Sequence, residues 1–254
     1  MKDKPIPYAK DKDMNYENFI ATCPHCGFQN IFNRVSDLET VEPIGFKQVI
    51  CLNSSCKKQF NINGDLVSEN YAYLIMDCYD LLKNKRYMYC ILNLCQACEM
   101  FFVRAIEVKL IYQPFKDKVL PDDCDQLNDL CKKLHTKIKD YPFKSLQRVF
   151  FDLYLNDKVF QSLKSIEDYI NTIDCRKNKT PQDAEIDLYP NIKARELFKK
   201  MKLTKINELR NHVVHKYGYR PDKLLVERNL ENIREVIFGL VGMFQIKHIL
   251  SYLN

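Results

Sequence analysis

The stretch INELRNHVVHKYG, residues 206–218, shows the helical periodicity that decides the fold of most of the chain. On a helical wheel its apolar side chains fall on one stripe, and polar side chains at four-residue spacing lie on the other side. The stripe consists of Ile206, Leu209, Val213 and Tyr217, and the polar ladder of Asn207, Asn211 and His215. Arg210 projects at the margin of the stripe, where burying a guanidinium group is costly unless it meets an anion.

The same period continues through the larger part of the chain. From Val67 onward, apolar residues recur at spacings of three and four, and Gly is almost absent until Gly218. We predict helices over residues 68–84, 87–112, 123–138, 143–169, 192–217 and 222–252. Residues 67–254 are therefore expected to form an all-α bundle.

Residues 1–66 differ from this bundle because they carry Gly residues and short alternating stretches, which predict strands and turns. The segment also holds two cysteine pairs, Cys23 with Cys26 and Cys51 with Cys56. Four thiolates suit tetrahedral zinc, and a complete set of protein ligands leaves no open position for a substrate. We predict a small β-rich zinc ribbon with one structural Zn²⁺. Because the second pair is more widely spaced than usual, His25 remains an alternative ligand.

Three further cysteines, Cys90, Cys95 and Cys98, lie on the predicted helix 87–112 among large apolar residues. Core packing is the favoured interpretation, and a second metal site is the alternative. Glu99 lies on the same helix, between two groups of apolar residues, so its carboxylate is expected to face into the bundle. Arg210 is a candidate partner for that carboxylate. Alternatively, Glu99 binds a backbone group or a Tyr hydroxyl, and Arg210 extends outward to solvent.

Composition limits the class of protein. The chain has 254 residues, 46% of them hydrophobic, and a formal net charge of +6, which permits an acidic partner such as RNA. No apolar stretch is long enough to cross a bilayer, and no secretory signal is visible at the N-terminus, so we expect a cytoplasmic protein without a membrane partner. Two groups of lysines are either an RNA-binding surface or simply solvated helix faces, and the second interpretation is slightly favoured. These groups are Lys132, Lys133, Lys137, Lys139 and Lys144, and Lys199, Lys200, Lys202 and Lys205.

The segment Arg210-Asn211-x-x-x-His215, on a late helix of an all-α bundle whose earlier helix carries an inward Glu, resembles the HEPN superfamily. This superfamily of helical nucleotide-binding domains is marked by R-x4-6-H. Tyr217 extends the resemblance to R-x4-H-x-Y, the variant of HEPN toxins that pair with minimal nucleotidyltransferase antitoxins. The resemblance covers residues 67–254 and implies a HEPN-like helical domain that follows the zinc ribbon.

The resemblance further implies a metal-independent endoribonuclease, which acts as a toxin, an abortive-infection protein or another anti-phage defence effector. His215 suits the role of general acid or base near neutral pH, and Arg210 suits binding of the scissile phosphate. Asn211 is expected to orient the imidazole or the phosphate, and Glu99 to position Arg210. Lys216 and Tyr217 are expected to contact the substrate. Catalysis then needs no cofactor.

One chain offers a single such Arg and a single such His, whereas in-line cleavage needs proton transfer on opposite sides of phosphorus. We therefore expect a homodimer with a composite site at its interface, as the resemblance also implies. RNA is the expected substrate, and an antitoxin or another defence-system protein is a possible partner. The alternative function is a non-catalytic HEPN-like module that binds a nucleotide, RNA or a protein, with the zinc ribbon as an adaptor.

Overall fold

The computed structural model describes residues 18–33, 37–39, 47–62, 69–121, 123–173 and 179–246. It divides into two compact units, Met1–Ser68 and Glu69–Asn254. The protein is mainly helical, with a small N-terminal region of two β-hairpins, so the prediction of a mainly α protein with a small β-rich region is confirmed. Gly45, Gly64 and residues 247–252 of the last predicted helix lie outside the described residues.

The N-terminal unit contains two antiparallel hairpins. β1 (Asn18–Thr22) pairs with β2 (Gln29–Asn33), and β3 (Lys47–Ile50) pairs with β4 (Gln59–Ile62). Buried Asn30 joins the hairpins, because its Nδ2 donates to the carbonyl of Ala21 at 3.2 Å and its Oδ1 accepts from the N–H of Leu52 at 2.6 Å. Few apolar side chains are buried among the described residues of this unit, which is typical of a domain that is stabilised by a metal ion. They are Phe32, Leu38, Val49, Phe60 and Ile62.

The second unit contains ten α-helices in its described residues. They are α1 (Asn70–Lys83), α2 (Tyr87–Glu107), α3 (Gln113–Lys116), α4 (Cys124–Ile138), α5 (Phe143–Tyr154), α6 (Leu163–Thr172), α7 (Asp183–Asp187), α8 (Ile192–Leu203), α9 (Ile206–His215) and α10 (Lys223–Phe244). A π-helical segment, Val108–Tyr112, joins α2 to α3 without a break. α2 is the central helix, since α1, α5, α9 and α10 all pack against it.

The core of this unit is rich in aromatic side chains from α2, α5 and α8. Phe150 lies at its centre and contacts Phe101, Phe102 and Phe198 at ring-centroid distances of 5.5 to 6.2 Å. Residues 87–116 are long and apolar enough to cross a membrane by length and composition alone, but more than half of the most apolar window is buried inside the bundle. The expectation that no apolar stretch is long enough to cross a bilayer is thus wrong for this run, and its burial makes it the core helix of the bundle.

Two of the predicted helices are wrong in extent, because each is two helices. The predicted helix 143–169 is interrupted after Tyr154, and Ser162 begins α6 with a capping box that it forms with Ser165. The predicted helix 192–217 is interrupted at Thr204, whose backbone is extended. At that break the side chain of Gln147 donates to the carbonyl of Met201 at 2.8 Å, which satisfies an acceptor that a continuous helix would have used.

Candidate functional sites

Four cysteine thiols meet in the N-terminal unit. The Sγ atoms of Cys23, Cys26, Cys51 and Cys56 all lie within 4.8 Å of one another. Cys23 and Cys56 are 3.9 Å apart, and Cys26 and Cys51 are 3.7 Å apart. A tetrahedron with Zn–S bonds of about 2.3 Å has edges of about 3.8 Å, so these spacings fit one tetrahedral ion. The cluster can therefore hold a metal, as the sequence predicted for these residues.

Each cysteine pair lies on the turn that joins the two strands of its hairpin. In the first turn, the N–H of Gly27 donates to the carbonyl of Cys23 at 2.9 Å, and Gly27 has φ +70°. In the second turn, Lys57 follows Cys56 with φ +52° and donates to the carbonyl of Asn53 at 3.1 Å. Despite its wider spacing, the second pair thus lies on a turn of the same kind, with a left-handed residue directly after the second cysteine.

The thiols lie in different environments. Burial raises the pKa of the Cys51 thiol to about 11, whereas a hydrogen bond from the backbone of Phe28 is the largest cause that lowers the pKa of Cys26 to about 7. Asn53 also donates its Nδ2 to the sulfur of Cys26 at 3.8 Å. His25 is not in the cluster, since its Nε2 donates to the carbonyl of Gln59 at 3.1 Å. The four sulfurs alone form the site among the described residues.

Cys90, Cys95 and Cys98 are buried in the helical core, as the core-packing interpretation predicts. Cys78 faces Cys90, and each thiol donates to the other residue's carbonyl, at 3.6 and 3.7 Å. Burial raises the pKa of the Cys95 thiol to about 12, which keeps it protonated at neutral pH. No second metal cluster is found in the described part of the chain.

In the helical unit, Arg210 and Glu99 line one cavity of about 670 Å³ beside α2. The Nη1 of Arg210 donates to Oδ1 of Asn211 at 2.9 Å, so the residue after the arginine holds its guanidinium group. Glu99 is half-buried, and its burial raises the pKa of its carboxyl while the charge of Arg210 acts in the opposite direction. The two side chains thus share a cavity, although no direct ion pair joins them among the described contacts.

The other end of this cavity holds a network of buried charges that the sequence analysis missed. The Nε of Arg104 donates to Oε2 of Glu69 at 2.9 Å, and its Nη1 donates to Oε2 of Glu107 at 2.8 Å. The other oxygen of Glu107 binds Nε2 of His135. This bond is the main cause that raises the pKa of His135. The spacing of Glu99, Val103 and Glu107 at four residues on one helix is a signal that could have identified this face.

His215 is the last residue of α9 and is exposed. Its imidazole has no hydrogen-bond or ion-pair partner in the described part of the chain. Lys216 and Tyr217 follow the helix, and the prediction that Tyr217 extends the apolar stripe is wrong, since its side chain is fully exposed. The helix ends because Lys216 is extended and Gly218 has φ +79°. Asn207 and Asn211 are half-buried.

Most of the lysines that could have formed an RNA-binding surface are engaged in ion pairs. The pairs are Lys132 with Asp129, Lys133 with Glu167, Lys199 with Asp187, Lys200 with Glu235, and Lys202 with Asp183, at 2.6 to 3.2 Å. Paired lysines contribute less to attraction of a polyanion than free ones do, so the interpretation as solvated helix faces is favoured.

We compared the chain with protein-family models, with curated proteins and with solved structures. None of them matches it.

Proposed function

We propose that the chain is a metal-independent endoribonuclease of the HEPN type, with an active site shared between two copies. One observation carries the proposal: Arg210, held by Asn211, lines an open cavity of the helical bundle together with half-buried Glu99. A guanidinium group fixed by its neighbour and facing a cavity is suited to bind a phosphate and to stabilise the charge that develops on it. The resemblance of the R-x4-H segment to this superfamily agrees with that role.

The chemistry we propose uses the RNA's own 2′-hydroxyl as nucleophile. One imidazole takes the 2′-hydroxyl proton while the oxygen attacks phosphorus, and the bond from phosphorus to the 5′-oxygen breaks. A second imidazole protonates the departing 5′-oxygen, so the products are a 2′,3′-cyclic phosphate and a 5′-hydroxyl end. Exposed His215 is the group that transfers the protons, an effect of about 10²–10⁴-fold in rate. Lys216 and Tyr217, next to it and exposed, contact the RNA.

A second copy of the chain is needed for this arrangement. On α9, Arg210 and His215 are about 7.5 Å apart along the axis and about 140° apart around it, so they do not face the same side. His215 of one copy and Arg210 of the other can meet across a two-fold axis. Exposed apolar side chains beside His215, Val214 and Tyr217, support a contact between copies at this end of α9.

The four-cysteine cluster is proposed to hold one structural Zn²⁺. Sulfur spacings of 3.7 and 3.9 Å and the closed set of four ligands support this assignment over a catalytic metal. Such an effector would act in the cytoplasm on RNA, under control of an antitoxin or another defence-system partner.

The test is cleavage of RNA by purified, zinc-containing protein. Arg210→Ala and His215→Ala should each reduce the rate at least about 100-fold. The matched control, Arg234→Ala, removes an exposed arginine that pairs with Glu231 on the surface of α10, and should leave the rate unchanged. Zinc content and the size of the particle in solution should stay the same in all three variants.

Mixing wild-type chains with His215→Ala chains tests the composite site. A mixed dimer carries only one of the two imidazoles that the reaction needs, so subunit exchange with excess His215→Ala should remove most of the wild-type activity. Activity that stays proportional to the amount of wild-type chain contradicts the shared site. Cleavage that survives both Arg210→Ala and His215→Ala contradicts the roles assigned to these residues. RNA that is bound but never cut by the wild-type protein would favour the non-catalytic binding module.

A further inference from the structure

The end of the cavity that lies away from Arg210 is built differently from the phosphate-binding end. Glu99 and Glu107 are two turns apart on α2, or about 12 Å, so the cavity extends well beyond the reach of one phosphate group. At the far end, the side chain of His135 is 54% exposed and its Nε2 is held by buried Glu107. The ring is therefore fixed in orientation and still accessible.

The charges at this end disfavour a second phosphate. Arg104 is neutralised by Glu69 and Glu107, both of which accept from it at less than 3 Å. Glu107 also compensates His135 whenever the imidazole is protonated. Lys139 lines the cavity as well, but Asp140 lines it beside that lysine, so an anion would meet three carboxylates here.

The walls favour a flat, uncharged group. Apolar side chains of α2, α4 and α5 line the cavity together with the rings of two tyrosines. These residues are Met100, Val103, Ile138, Leu146, Tyr71 and Tyr141. A partly exposed imidazole beside an apolar wall is the kind of surface on which an unpaired nucleobase stacks, because every base has a π-face and needs no charge partner.

We propose that His135 and the apolar wall of α2 form a base-stacking subsite, which takes an unpaired nucleotide that flanks the phosphate held by Arg210. This inference rests on the proposed function for the identity of the ligand, but it concerns binding, not cleavage. Because a base must be unpaired to stack on the imidazole and the apolar wall, the subsite selects single-stranded RNA.

Two substitutions of His135 separate stacking from a structural role. His135→Phe keeps an aromatic ring and loses the bond to Glu107, whereas His135→Gln keeps a donor for Glu107 and loses the ring. We would measure binding of a short fluorescent single-stranded RNA by full-length, zinc-loaded protein that also carries His215→Ala, so that the RNA stays intact. His135→Phe should bind within about threefold of the parent, and His135→Gln and His135→Ala about 5–150-fold more weakly.

Abasic nucleotides provide the second arm of the experiment. An abasic position is moved along the strand. At one place it should weaken binding by the parent protein by a similar factor and have little further effect on His135→Ala, since both changes remove the same contact. The same RNA hybridised to its complement should bind more weakly than the single strand.

Three results would overturn the inference. One is weaker binding by the Phe variant than by the Gln variant, which indicates that only the bond to Glu107 matters. The second is that no abasic position couples to His135. The third is that the duplex binds as tightly as the single strand. Wild-type protein that binds RNA with this coupling but never cleaves it contradicts the proposed function alone. No binding of RNA at all contradicts both.

Discussion

Removal of Arg104 should destabilise the helical unit strongly, because this side chain neutralises two buried carboxylates. The side chains of Arg104, Glu69 and Glu107 are only 21%, 11% and 8% exposed. Glu69 Oε1 already lacks a hydrogen-bond partner, so this carboxylate depends on Arg104 alone among the described contacts. Arg104→Met keeps the apolar stem of the side chain but removes the guanidinium group, which leaves Glu69 without a cation and Glu107 with His135 alone.

The expected loss follows from this burial. Removing one partner of a buried pair costs about 3–5 kcal/mol, chiefly because the remaining charge is buried without compensation. For a unit of this size, each kcal/mol shifts the unfolding temperature by about 2–4 °C, so the unfolding transition should fall by roughly 6–20 °C. The loss also frees Glu107 from one of its two partners, which should loosen the imidazole of His135.

Thermal unfolding followed by circular dichroism in zinc-containing buffer at pH 7 measures this loss. The matched control is Arg234→Met, which removes an arginine from an exposed pair with Glu231, with side chains 51% and 53% exposed. Exposed pairs contribute about 0–1 kcal/mol, so the control should shift the transition by less than about 4 °C. Equal, small shifts for both variants would refute the reasoning, since Arg104 would then have no more effect than a solvated residue.

Three further predictions follow from the structure. Cys51→Ser should lower zinc content from about one ion per chain to less than about half, while the control Cys98→Ala keeps it, as measured by metal analysis of purified protein. Burial raises the pKa of Glu99, so its charged carboxylate costs stability at pH values above that pKa. Glu99→Gln should therefore raise the free energy of unfolding in urea at pH 7. This gain in stability should disappear as the pH falls towards 4. A less stable variant at pH 7 would contradict this sign. In Gly242→Ala of α10 the new Cβ meets no atom within 4 Å, so helix propensity should raise the free energy of unfolding by about 0.5–1 kcal/mol. In Gly239→Ala the new Cβ lies 2.9 Å from a methyl carbon of α8, so the same urea measurement should show a loss of stability.

Local sequence signals were enough to identify the cysteine cluster and the helical class. Both cysteine pairs lie on turns whose spacing is visible in the sequence, and the four sulfurs do meet. The position of Arg210 at the edge of an apolar stripe, and of Glu99 inside the bundle, also follows from helical periodicity, and both side chains line the same cavity. These features depend on residues that are close in sequence or on one helical face.

The features that sequence reasoning missed depend on contacts between distant segments. The break between α8 and α9 is stabilised by Gln147, more than 50 residues away, and no Pro or Gly marks it. The sequence gives no sign that His135 belongs to this cavity, because its partner Glu107 is 28 residues away on α2. The break after Tyr154 was detectable, since Ser162 and Ser165 have the spacing of a capping box.

The π-helical segment Val108–Tyr112 has a consequence for how the chain tolerates insertions and deletions. Its wider turn, directly after Glu107, accommodates one residue more than an α-helical turn does. Deleting one residue here would restore ordinary α-helical winding and leave Glu107 and the apolar anchor Phe115 close to their present directions, whereas a one-residue deletion in an ordinary turn of α2 would rotate one half of the long helix relative to the other by about 100°. This segment is therefore the place where the long helix tolerates the loss of a residue.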